Sequence, residues 1–143
     1  MTADDIIATL QLKPHPEGGY YRETWVAEHS PGTRPTGTCI YFLLAEGMRS
    51  HWHKVDAAEI WHFHLGAELL LTTSPTQHGP VTRHRLGPDL LKGARPQVIV
   101  PELVWQSAQS MGPWSLVSCT VSPGFQFEGF TLAPPDFMIM DNM

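Results

Sequence analysis

GMRSHWHKVDAAEIWHFHLG, residues 47–66, is the stretch that decides the fold, because it carries four of the eight histidines and two of the five tryptophans. Its first half is typical of a β-strand. Successive side chains of a strand point to opposite faces, so we expect His51 and His53 to share one face. The five residues between His53 and Glu59 leave room for a tight turn. The next strand would then place one set of side chains on one face, Glu59, Trp61 and Phe63, and another set on the opposite face, Ile60, His62 and His64.

This stretch resembles the first motif of the cupin superfamily, which has a His-x-His pair, a Glu after a turn and a later Gly. The spacing departs from the usual pattern: three residues separate Gly47 from His51 where five are usual, and five precede Glu59 where three or four are usual. The second cupin motif, Pro-x-Gly-x-x-His, resembles residues 101–106. There Gln106 replaces the third metal-binding His of the superfamily.

Three further runs resemble the DUF985, or cupin-5, family of that superfamily: HPEGGYYRET at residues 15–24, EIWHF at 59–63 and VSCTVSPGF at 117–125. The resemblance implies an all-β fold, the cupin-type double-stranded β-helix or jelly roll, with a short N-terminal helix and a single domain over residues 1–143. The function of the family is poorly defined, so the resemblance says more about the fold than about the reaction.

Composition agrees with one β-rich domain. The chain has 143 residues, 42% of them apolar, and its 13 prolines and 12 glycines divide it into short segments. The net charge is −5 with scattered Lys and Arg, which predicts no nucleic-acid partner and no binding to anionic membranes. No apolar run reaches the ~20 residues of a spanning helix. The two cysteines form no CxxC pair, and we expect free thiols and a cytoplasmic location.

The order of local patterns predicts one helix and about ten strands. Residues 2–10 are typical of a helix, with Thr2 as its cap and Asp4 and Asp5 near its positive end. The Pro- and Gly-rich residues 13–19 predict a rigid elbow into the next strand. Clear strands are predicted at residues 20–26, 38–45, 67–73, 81–86, 97–100, 104–109 and 114–122.

The first hypothesis for the site is one divalent transition metal bound by His51, His53, Glu59 and Gln106, as the cupin resemblance implies. An amide oxygen is a weaker ligand for such metals than imidazole. Two His and one carboxylate nevertheless form the facial triad of non-haem iron enzymes. The sequence does not decide whether a metal is bound or which one. A metal-dependent enzyme that uses His51, His53 and Glu59 is one alternative.

The second hypothesis is a metal-free pocket that binds a small molecule and acts as an epimerase or isomerase on a sugar-type ligand. His53 would be the general base beside Glu59, and Tyr21 would return the proton. A few convergent polar groups and apolar walls would hold the ligand. We expect this ligand-binding set to be Glu17, Ser50, Trp61, Phe63, Trp105 and Gln106.

The third hypothesis is a binding or sensor module without catalysis, which needs the same pocket and no reaction. A homodimer is expected in all three cases. One face of the strand at residues 38–45 would meet the partner, and His62 and His64 would pack at the same interface. We expect the remaining histidines to be structural or exposed to solvent: His15, His29, His78 and His84.

Overall fold

A computed structural model describes residues 1–140 of the chain. One α-helix comes first, and two short 3₁₀ turns lie at Leu90–Lys92 and Phe127–Gly129. Eleven β-strands make up most of the rest. The elements are α1 (Ala3–Leu10), β1 (Lys13–Pro14), β2 (Tyr20–Val26), β3 (Thr38–Ala45), β4 (Arg49–Val55), β5 (Ala58–Gly66), β6 (Leu69–Ser74), β7 (Thr82–Leu86), β8 (Gln97–Val100), β9 (Trp105–Ser110), β10 (Trp114–Ser122) and β11 (Phe130–Leu132).

Helix α1 begins where the sequence predicts. The Thr2 hydroxyl accepts from the Asp5 backbone N–H at 3.2 Å, and the Asp5 carboxylate accepts from the Thr2 N–H at 2.8 Å. This reciprocal capping box satisfies two backbone donors that the first turn leaves free. The buried Ile6 side chain then packs on the outside of the sheet against Leu43 and Leu116.

The strands form two antiparallel sheets that pack face to face. The six-stranded sheet has the order β1-β2-β3-β10-β5-β8, and the five-stranded sheet has the order β11-β4-β9-β6-β7. The prediction of an all-β jelly roll with a short N-terminal helix is confirmed. Strands β2, β3 and β10 have the predicted bounds. No helix within residues 1–140 is long and apolar enough to cross a membrane.

Large apolar side chains fill one end of the space between the sheets. Trp61 and Phe42 pack edge to face at 5.8 Å, and Leu44 and Val117 are fully buried beside them. A cavity remains between the sheets at the other end.

The C-terminal segment docks on its own chain. Strand β11 pairs with β4, and Ile139 then packs against Trp52 on the outer face of the five-stranded sheet. The Phe137 ring lies 5.1 Å from the Trp105 ring. The segment therefore lies on its own chain for residues up to 140.

Candidate functional site

A cavity of about 430 Å³ lies between the two sheets and opens to solvent on one side. Both sheets contribute to it, as do the elbow before β2 and the segment between β10 and β11. Its buried end holds imidazole and carboxyl groups. The lining residues include His15, Glu17, Tyr21, His53, Glu59 and Cys119, together with Phe125, Phe127 and Phe130.

The elbow at residues 15–19 places Glu17 in the cavity. Its close approach to β4 requires glycine, because a Cβ on Gly18 would lie 2.1 Å from the Arg49 carbonyl oxygen and Gly18 has a φ of +108°. The Glu17 carbonyl then accepts from the His51 N–H at 2.7 Å. The Glu17 carboxyl accepts a short hydrogen bond from the buried Ser50 hydroxyl. A local Pro-Gly pattern thus fixes a carboxyl inside the barrel.

The hydrogen bond between the His51 N–H and the Glu17 carbonyl also explains why the His51 and His53 side chains lie on different faces of β4. Because the His51 N–H is bonded to Glu17, the β4–β9 pairing shifts its register between Ser50 and His53. The His51 ring turns away from the cavity, and its Nε2 donates to the Pro134 carbonyl at 2.8 Å. The prediction that His51 and His53 share a face is wrong, since a β-bulge interrupts the alternation that it assumed.

His53 presents a proton acceptor to the cavity. Its Nδ1 lies 2.7 Å from the His51 carbonyl, which can only accept, so Nδ1 carries the ring proton. In the neutral ring Nε2 is then unprotonated, and it lies 3.5 Å from the Glu17 carboxyl. Side-chain burial is nearly complete at His53, and this burial lowers its pKa and favours the neutral ring.

His15 has the opposite tautomer. Its Nδ1 accepts from the Glu17 backbone N–H at 3.2 Å and lies 3.3 Å from the Glu17 carboxyl. The ring proton of neutral His15 therefore lies on Nε2. Burial, reinforced by the neighbouring His53, lowers the pKa of His15 to about 4, so the ring is neutral near pH 7. Since His15 lines the cavity, this N–H is a donor that a bound ligand can use.

A buried polar chain holds the second carboxyl. The Trp61 indole N–H donates to Gln106 Oε1 at 2.8 Å, and Gln106 Nε2 donates to Glu59 Oε1 at 2.8 Å. The indole can only donate, so it fixes the orientation of the amide. The amide in turn fixes the Glu59 carboxyl. Gln106 pairs with His53 across β4 and β9.

Burial makes both carboxyls weak acids. It raises the pKa of Glu17 to about 8, against the opposing effect of the Ser50 hydroxyl. It raises the pKa of Glu59 to about 7, where His53 opposes the increase and Glu17 adds to it. Burial also raises the pKa of the Cys119 thiol, with Glu59 nearby. Near pH 7 the buried end of the cavity therefore holds neutral rings, a mostly protonated Glu17 and a partly protonated Glu59.

Comparison with known proteins identifies the family. The family model described as "Cupin superfamily (DUF985)" matches residues 4–133. The chain belongs to the DUF985 family of the cupin superfamily. A crystal structure of a protein from Shewanella oneidensis is 41% identical, with a TM-score of 0.87 over 93% of this chain and 85% of that one. A hypothetical protein from Leishmania major is 32% identical, with a TM-score of 0.84 over 93% of this chain and 88% of that one.

A more distant likeness concerns the fold alone. Oxalate decarboxylase from Bacillus subtilis is 16% identical over 83% of this DUF985 chain and 29% of that enzyme, with a TM-score of 0.63. The comparison with curated proteins found no match. The family and the jelly roll are thus established, and the reaction has to be argued from the site.

The side chains do not fit the predicted metal centre. His51 lies outside the cavity, and the Gln106 amide oxygen accepts from the Trp61 indole. Within residues 1–140, no group of three or more His, Cys, Asp or Glu side chains is arranged to hold a metal ion. The acids and bases that line the cavity are therefore the candidate reactive groups.

The remaining predicted site residues divide into three groups. Tyr21 and Glu17 line the cavity with His53 and Glu59, as expected for a pocket. Ser50 is buried and acts through Glu17. Three predicted wall residues do not line the cavity: Trp61 lies in the core, Phe63 packs against that core, and Trp105 lies on the outer face with Phe137.

The structure also adds residues that the sequence reasoning missed. His15 was expected to be structural or exposed, yet it is buried at the cavity and touches the Tyr21 ring at 4.6 Å between ring centroids. The wall is formed by Phe125, Phe127 and Phe130, from a segment without a strong strand pattern. The His15-Pro-Glu-Gly-Gly run was a usable signal, because it puts an imidazole two residues from the elbow carboxyl.

Proposed function

We propose that this DUF985 cupin binds a small organic molecule in the cavity and transfers a proton on it without a metal, as an epimerase or isomerase of a sugar-type ligand would. One observation carries the proposal. His53 is buried, and its unprotonated Nε2 lies at the cavity beside the carboxyl of Glu17. A general base needs such an unprotonated nitrogen within reach of a ligand.

The two sheets supply groups from opposite sides. His53 lies on β4 of the five-stranded sheet, and Tyr21 lies on β2 of the six-stranded sheet. A ligand between them would present one face to a base and the other to a hydroxyl donor. Inversion at a carbon atom requires this arrangement, because the proton must leave from one face and return to the other.

The chemistry balances for a ligand with a carbonyl group. His53 Nε2 removes a proton from the carbon beside the carbonyl, and the electron pair of that C–H bond forms an enolate. The His15 N–H donates a hydrogen bond to the enolate oxygen. Tyr21 then delivers its hydroxyl proton to the opposite face of the carbon. Water that enters the cavity after product release takes the proton from His53 and restores the proton of Tyr21. The ionised form of Glu59 favours the charged His53 intermediate.

Deuterium exchange tests this proposal directly. The protein is incubated in D₂O with a panel of nucleotide-linked keto sugars and small keto acids, and NMR detects deuterium at the carbon beside the carbonyl. We expect exchange with at least one compound, and at least a 100-fold slower rate for His53→Ala. His51→Ala is the matched control and should retain the rate, because His51 lies outside the cavity.

Two other results would redirect the proposal. Tight binding of a compound without exchange would support the alternative of a non-catalytic binding or sensor module. Equal rates for the His53 and His51 variants would refute His53 as the base. The metal-dependent alternative would need His51 to join His53 and Glu59, which the contact of His51 with Pro134 opposes.

We also propose a homodimer formed through the outer face of the six-stranded sheet. His64 Nε2 lies 2.6 Å from the Ser118 hydroxyl and His62 Nε2 lies 3.4 Å from the Thr120 hydroxyl on that face. Ile99 is 60% exposed on β8 beside them. Light scattering that gives the mass of one chain would refute the dimer.

The cytoplasmic location stays a prediction.

A further inference from the structure

The buried end of the cavity holds two carboxyls that have no lysine or arginine partner within residues 1–140. Glu17 and Glu59 both line the cavity and are buried. Within residues 1–140, the ion-pair contacts of Glu17 are with histidines, and the Glu59 carboxyl accepts from the Gln106 amide. Lys13 and Arg22, which also line the cavity, are exposed at its solvent side. A buried carboxyl without a cation is stable mainly in its protonated form.

Aromatic rings enclose the same space. Phe125, Phe127 and Phe130 pack against one another edge to face, with ring centroids 5.0 Å apart for the first pair and 5.7 Å apart for Phe125 and Phe130. Tyr21 lines the cavity with them. The face of an aromatic ring attracts cations, and this attraction increases where water is excluded. Carboxyls and aromatic rings that line one cavity form a combination suited to an organic cation.

We infer that the cavity selects a ligand with a protonated amine, which would lie between Glu17 and Glu59 against the phenylalanine rings. This inference rests on the proposed function only in taking the cavity as the ligand-binding site. An amino group would supply the countercharge that the two carboxyls lack. A carboxylate or phosphate group bound at the depth of Glu17 and Glu59 would be repelled by these acidic groups. An anionic group elsewhere on the amine ligand could contact Lys13 and Arg22 at the solvent side.

Amine binding should release protons from the site. Near pH 7 Glu17 is mostly protonated and Glu59 is partly protonated. A bound ammonium favours the ionised form of both, so about one proton should leave per ligand. The other titratable or charged groups around the cavity come from five elements: His15 in the elbow, His53 on β4, Cys119 on β10, Tyr21, Arg22 and Glu23 on β2, and Lys13 on β1.

Three probes that share a cyclohexane ring and differ in charge test the inference: cyclohexylamine, cyclohexanol and cyclohexanecarboxylate. Their affinities are measured at pH 7 by ligand-observed NMR titration, and proton release is measured by calorimetry in two buffers of different ionisation enthalpy. We expect the amine to bind at least tenfold more tightly than the alcohol and the carboxylate to bind most weakly. We also expect release of about one proton with the amine and none with the alcohol.

The variants Glu17→Gln and Glu59→Gln should each reduce the preference for the amine several-fold, because glutamine keeps the shape and loses the charge. Glu28→Gln is the control, since Glu28 is exposed and does not line the cavity. Equal affinities for the three probes, or a preference for the carboxylate, would overturn the inference.

The amine inference and the proton-transfer proposal can fail separately. Amine preference without deuterium exchange would leave a binding module selective for cations. Exchange on keto compounds without amine preference would keep the reaction and remove the cation from the description of the ligand.

Discussion

Replacing Glu17 with glutamine should remove the pH dependence that this residue gives to folding. The pKa of Glu17 is about 8 in the fold, against an ordinary value of 4.5. Above pH 4.5 the unfolded chain loses this proton while the folded chain keeps it, so the contribution to stability falls as the pH rises toward 8. At about 1.4 kcal/mol per pKa unit the total is about 5 kcal/mol, of which about 4 kcal/mol is lost between pH 5 and pH 9.

Glutamine is a neutral analogue of the protonated acid. Its oxygen can accept from Ser50, and its amide group can donate to His15 or His53. Going from pH 5 to pH 9, the free energy of unfolding of Glu17→Gln should therefore gain about 4 kcal/mol relative to the natural protein. This change favours the variant in alkaline solution.

Urea unfolding at pH 5, 7 and 9 measures this difference. The variant Glu28→Gln, at an exposed position, supplies the control and should follow the natural protein at each pH. The free energies of unfolding of Glu17→Gln and the natural protein can be plotted against pH. Two plots that stay parallel within about 1 kcal/mol from pH 5 to pH 9 would refute the reasoning. Such curves would mean that Glu17 is ionised in the folded state near pH 7.

Three further predictions concern the same site. Two-bond ¹H–¹⁵N NMR at pH 6.5 should show neutral rings with the proton on Nδ1 of His53 and on Nε2 of His15; a charged His53 ring would contradict its role as a base. Gln106→Leu should lower the free energy of unfolding by about 2–4 kcal/mol, because the Trp61 N–H loses its acceptor. The control Gln109→Leu, at a half-exposed position, should lower it by less than about 1 kcal/mol. Equal losses for the two variants would exclude the buried hydrogen-bond chain as the cause. Elemental analysis of protein purified without a nickel column should find far less than one metal per chain; about one iron, manganese, zinc or nickel would restore the metal hypothesis.

Local sequence patterns determined most of the fold. The capping residues of α1, the alternation in β5 and the apolar run of β3 depend on neighbours within a few residues, so their elements could be predicted from the chain alone. The turn between His53 and Glu59 also followed from spacing. The cupin resemblance assigned Gln106 to the same site as His53, and the two residues pair across β4 and β9.

Only the tertiary structure decided which imidazoles enter the cavity. His51 and His53 look equivalent in a strand pattern, but the carbonyl of Glu17, 34 residues earlier than His51, binds the His51 N–H and breaks the alternation. The burial of His15 and the phenylalanine wall likewise depend on segments that meet only after both sheets form. The sequence by itself determined most of the longer strands and their order along the chain, but not the short strands β1 and β11. Contacts between residues distant in sequence determined the site, because a hydrogen bond from another segment can outweigh the local period of a strand.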